Sequence, residues 1–70
     1  MPNAIELIVD GYVSLNDRRA LDDLRMQRSK LAVDLRARTG FDYRTTIRQI
    51  EEDIILIEAG LARLDGAGTS

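Results

Sequence analysis

The chain contains no cysteine and no histidine. The first absence excludes disulfides and thiolate metal sites. The second removes the commonest metal ligand and the commonest acid–base catalyst. Long apolar runs are missing as well: the longest are Leu7 to Val9 and Ile54 to Ile57, far short of a membrane span. The N-terminus has neither a basic region nor an extended apolar stretch, so no signal peptide is expected. Aromatic residues amount to Tyr12, Phe41 and Tyr43. No glycine-rich phosphate loop is present, since Gly66 and Gly68 follow no strand. A net charge of −2 gives no overall attraction to nucleic acid.

At 70 residues the chain is one small domain. A domain of this size buries only about 60% of the surface its unfolded chain exposes and is marginal alone. With disulfides and metals excluded, oligomerisation is the remaining route to stability.

What the sequence does have is helical periodicity. Tyr43, Ile47, Ile50, Ile54, Ile57, Leu61 and Leu64 step by 4, 3, 4, 3, 4 and 3, an unbroken heptad stripe. Gly60, about 1 kcal/mol worse than Ala in a helix, marks a place where a neighbouring backbone comes close. A second segment carries Leu21, Leu24, Leu31 and Leu35 in the same repeat, with Arg28 in the polar slot. Ser14 or Asn16 is a candidate cap at its start. Arg36 and Arg38 suit its C-terminal dipole. Gly40 is placed for the left-handed conformation just past its end, with Phe41 reaching back to Leu35 and Asp42 capping the next helix. The spacing therefore predicts helices over 17–38 and 43–64, about 32 Å each and folded antiparallel through Thr39 to Asp42.

Charge supports that pairing. Residues 17–38 carry seven bases and four acids, net +3; residues 42–65 carry three bases and six acids, net −3. Antiparallel register places Arg28 near Asp53 and Lys30 near Glu51. Such exposed pairs set orientation more than they stabilise.

Residues 4–15, AIELIVDGYVSL, admit two readings. Asp10-Gly11 between Val, Ile and Tyr suggests a β-hairpin turn. Ile5, Ile8, Tyr12 and Leu15 fall at helical spacing, and Asn3 with Glu6 has the spacing of a capping box. The helix is favoured, because both faces of the two-stranded alternative would be apolar. Its stripe slips by two residues near Asn16-Asp17, so the chain bends there. Residues 66–70 are expected to form a disordered tail.

The expected fold class is all-α: a short N-terminal helix, then a long antiparallel coiled-coil-like hairpin, completed as a dimeric bundle. The hairpin seam is Leu21, Leu24, Leu31, Leu35, Tyr43, Ile47, Ile50, Ile54, Ile57, Leu61 and Leu64. Ile5, Ile8, Tyr12, Met26, Val33, Ile55 and Leu56 are left as the candidate assembly surface. The alternative is that the N-terminal helix folds over these residues in a monomeric three-helix unit. Association is favoured because twelve residues make a small lid.

No catalytic, cofactor-binding or metal-ligating set is expected. Glu51, Glu52 and Asp53 spread over about 200° of helix and do not converge. Ser29 and Lys30 point about 100° apart and form no dyad. The expected function is a non-enzymatic self-assembly or adaptor module, cytoplasmic, forming a homodimer and open to a further protein partner. The alternative is a nucleic-acid-associated or regulatory protein using the basic middle helix. Its bases are interleaved with acids and have no aromatic platform, which weighs against it.

Overall fold

A computed structural model of the chain describes residues 3–38, 40 and 42–68, with side chains through Gly66. Among these residues the regular structure is three helices and no strand: α1 (Ala4–Ser14), α2 (Arg18–Ala37) and α3 (Arg44–Gly68). None of them is long and apolar enough to cross a membrane.

The opening stretch is helical. The Asn3 side chain accepts a 3.0 Å hydrogen bond from the Glu6 backbone N–H, satisfying one donor that the first turn leaves free. The inward stripe of α1 is Ile5, Val9, Tyr12 and Val13, with Ile5 and Val9 buried. The sequence pattern had put Ile8 and Leu15 on that stripe, and both are exposed. Val9 turns inward because it faces Gly60 of α3, which has no side chain to hold it off.

Asn16 lies between α1 and α2 in the left-handed region, at φ 54. Asn is among the few residues that adopt this conformation readily. The Asn16 N–H bonds the Val13 carbonyl at 3.0 Å and the Asp17 N–H bonds the Tyr12 carbonyl at 2.9 Å. This is a Schellman termination with Asn in the usual Gly position. Asp17 then caps α2, accepting from the Ala20 N–H at 3.1 Å. The α2 cap is thus Asp17, not Ser14 or Asn16, and one residue ends the first helix and begins the second. The two-residue slip of the apolar stripe is this turn.

Partners between the long helices rise along α2 as they fall along α3, so the two run in opposite directions. Arg18 pairs with Asp65, Arg28 with Asp53 at 3.7 Å, and Arg36 with Glu51 at 2.9 Å. Glu51 therefore meets Arg36 and not Lys30, six residues farther along α2 than expected, whereas Arg28 meets Asp53 where the sequence register puts it. After α2, Arg38 is extended and Gly40 has φ +88, the conformation that favours glycine. Thr39 and Phe41, with the expected Phe41–Leu35 contact, lie outside the described residues. Asp42 accepts from the Arg44 backbone N–H at 3.1 Å, and its carboxylate also takes Nε and Nη2 of Arg44. The C-terminal helix continues to Gly68, into the segment expected as tail. Leu64 against the core and Asp65 against Arg18 anchor that last stretch.

The core is small. Ile5, Val9, Leu21, Ile57 and Leu61 form its buried cluster, with Tyr12, Val13, Leu24, Leu56 and Leu64 packed against it. Ile50 and Ala32 are buried farther along the long helices. Burying Leu21 and Ile57 completely contributes about 1.5–3 kcal/mol each. On α2 the stripe facing α3 runs Leu21, Arg25, Arg28, Ala32 and Leu35, again in steps of 4, 3, 4 and 3. Ala32 is 3% exposed, whereas Leu31 is 41% exposed, so Leu31 is not a seam residue. The Leu24–Leu31 row lies on the flank of that contact, about 100° round from Arg25 and Ala32. Gly60 does mark a close approach, but by a side chain: a Cβ placed there falls 2.5 Å from Val9 Cγ1.

Candidate functional site

Adjacent apolar residues on a helix cannot all enter one seam, because each step turns about 100°. In α3, Ile57 and Ile50 face inward and Ile54 is half-buried, so Ile55 is carried to the outside. In α2, Ala32 faces inward and Val33 is carried out in the same way. The two outward residues end up together. Val33 (62% exposed) and Ile55 (64% exposed) line a groove of about 360 Å³, floored by Ala32 and Ile54. Ser29 and Glu58 lie at one end of it, and Arg36 and Glu51 at the other. The Arg36–Glu51 pair spans the two helices there. Beyond it the hollow continues past Ile55 to Ile47 and Arg48.

The flank of α3 covered by α1 is the opposite one. Leu56, Gly60 and Arg63 lie beside Glu6, Val9 and Asp10 of α1. Arg63 donates to Asp10 at 2.8 Å. On the helical wheel, Leu56, Gly60 and Arg63 fall to one side of the Ile50–Ile57–Leu61 stripe; Ile54, Ile55 and Glu58 fall to the other. The short helix thus covers one flank of the long pair and leaves the Val33–Ile55 groove open.

This division sorts the seven residues expected to form an assembly surface. Ile5 is 6% exposed and belongs to the core. Tyr12 and Leu56 pack against that core. These three are removed from the set because α1 folds back, as the monomeric alternative had it. Val33 and Ile55 are brought together at the groove, Met26 is exposed seven residues before Val33 on the same face of α2, and Ile8 is exposed on α1. Ala32, Ile54 and Ser29 complete the groove and were not singled out as surface residues from the sequence. The Val33-to-Ile55 pairing needs the interhelical register, which periodicity within one helix does not carry. Leu7 of α1 and Leu15, the residue just after that helix, are also exposed and apolar.

The electrostatics are those of paired helices. Of the seven bases in residues 17–38, Arg18, Arg25, Arg28 and Arg36 lie within 4.0 Å of a carboxylate. Arg28 is half-buried, and its Nε approaches the Asp53 carboxylate, which also accepts from Gln49. The Arg44 guanidinium, and secondarily its backbone N–H, hold the Asp42 carboxyl below its ordinary value; the same contact raises Arg44. Among the described residues no cluster of three or more His, Cys, Asp or Glu is placed to hold a metal ion. No protein-family model, no curated protein and no solved structure matches the chain.

Proposed function

We propose that the chain is a non-enzymatic self-assembly module. In this reading α2 and α3 form a helical hairpin with coiled-coil-like packing, and two copies complete a dimeric bundle that serves as a small structural or adaptor protein. The observation that carries it is surface left over. The chain exposes 5266 Å², where a compact protein of its 7.9 kDa exposes about 4,400 Å². Its radius of gyration is 13.6 Å against about 11 Å for a compact 70-residue domain. The excess, roughly 850 Å², is close to the ~800 Å² that each partner contributes to a stable interface. Val33 and Ile55, exposed side by side at the groove, are apolar surface of the kind at which protein partners bind. A cytoplasmic location accords with a chain that has no cysteine.

The nucleic-acid alternative draws less support, because more than half of the bases along α2 already have acidic neighbours. Retention on DNA or RNA that falls steeply with salt would favour it. Self-assembly is tested by thermal unfolding over about a hundredfold range of protein concentration. A dimer's midpoint rises with concentration, because association stabilises the folded state by mass action. A constant midpoint contradicts the proposal.

A further inference from the structure

If two copies associate, the geometry selects both the face and the orientation; this inference rests on the self-assembly reading above. α1 occupies one flank of the long pair, and the Val33–Ile55 groove lies open on the other. Two hairpins stacked groove to groove can be related by a two-fold axis lying in the plane between them. With the axis across the helices, α2 lies over α2 and α3 over α3. Segments of net +3 then face each other, as do segments of net −3. With the axis along the helices, α2 lies over the partner's α3 and opposite charges meet. Charge complementarity of this kind fixes orientation and suppresses the wrong arrangement.

We propose that a second copy of the chain seats on this groove, related by a two-fold axis parallel to the helices, with both Gly40 turns at the same end. A rotation about such an axis keeps every residue at its own height. Val33 and Ile55 line the same groove within one copy, so the rotation carries Val33 toward the partner's Ile55, and Ile55 toward the partner's Val33. Glu58 lies at one end of the groove, and Lys30 follows Ser29 of that end as an exposed residue of α2. Neither has an ion-pair partner among the described residues. The rotation brings Lys30 beside the partner's Glu58.

The absence of cysteine makes the test clean. Val33→Cys and Ile55→Cys chains, each with one thiol at an exposed position, are mixed, unfolded and refolded together, then oxidised. Circular dichroism checks that each variant keeps its helicity. The expected product is the mixed disulfide between the two chains, identified by mass. Predominance of the two self-disulfides would overturn the orientation. A dimeric molar mass without any disulfide would place association on another face and overturn the groove. A monomeric mass at about 100 μM would remove the self-assembly reading along with this one. A second arm uses charge. Lys30→Glu should weaken dimerisation about two- to tenfold at low salt, and Lys30→Glu with Glu58→Lys should restore it. Strengthening by Lys30→Glu alone would contradict the arrangement.

Discussion

Two identical substitutions, Gly60→Ala and Gly11→Ala, should change stability in opposite directions. Both glycines sit inside helices, and replacing either removes up to about 1 kcal/mol of helix penalty. Gly11 is open: a Cβ there has nothing within 4 Å. Gly60 is not. Its Cβ would fall 2.5 Å from Val9 Cγ1, 3.4 Å from Val13 Cγ2 and 3.7 Å from Leu21 Cδ1. Carbon atoms prefer about 3.5–4.0 Å, so the Val9 contact overlaps by more than about 1 Å. Relief requires Val9 to leave its rotamer or α1 to lift away, and overpacking of this sort costs about 1–3 kcal/mol. Gly60→Ala should therefore destabilise by about 1 kcal/mol net and lower the thermal midpoint by about 4–8 °C, whereas Gly11→Ala should raise it. Urea unfolding at fixed protein concentration, followed by circular dichroism, measures both. Repeating Gly60→Ala on a Val9→Ala background isolates the contact, because Cγ1 is then gone. The cost should disappear, giving a coupling of about 1–2 kcal/mol. If Gly60→Ala stabilises as much as Gly11→Ala on both backgrounds, α1 does not rest on α3.

Ile57→Ala should cost about 2–5 kcal/mol, because the side chain is 0% exposed. Ile55→Ala should barely change unfolding of a dilute sample yet weaken association; equal losses for the two in urea titrations would contradict the division between core and open face. Asp17→Ala removes the cap of α2 and should cost about 1 kcal/mol. Unchanged stability in the same titration would show that the Ala20 N–H has another partner. The Asp42 carboxyl titrates below its ordinary value when folded, so its contribution is present above the unfolded value of about 3.8 and is lost as pH falls through the lower folded value. Below about pH 4 the thermal midpoint of the unaltered chain should therefore fall more steeply than that of Asp42→Asn. Parallel curves would mean that the Arg44 contact is not populated.

Three helices and their order were legible because period, caps and breakers agree within each segment. Asn3 with Glu6, Arg36 near the end of α2, Gly40 after it and Asp42 before α3 are local signals, and local chemistry reads them. The Asn16 turn was legible only as a slip in phase; its cause, an Asn standing where Gly is usual in a Schellman motif, lies in backbone conformation. The α2 stripe was misplaced at Leu31 because two heptad phases fit that segment. One collects leucines at 24 and 31; the other passes through Arg25, Arg28 and Ala32. Counting apolar residues chooses the first. Packing chooses the second, since a small Ala lets the helices close and the arginine stems can lie along the contact with their heads at its edge. The same limit applies to Ile5, Tyr12 and Leu56. Their apolar character is visible in the sequence, but whether they face a second copy or α1 of the same chain depends on Val9 fitting Gly60, a match between residues 51 positions apart. The groove itself joins Val33 to Ile55, which only the interhelical register brings together.

Sedimentation equilibrium of the unaltered chain, from a few micromolar to about 100 μM, puts the leftover surface to its most direct test. A mass rising from 7.9 kDa toward twice that value as concentration increases is the predicted result. A mass fixed at that of one chain throughout would mean that Val33, Ile55 and their neighbours are simply solvated, and that α1 is the only cover the long pair needs.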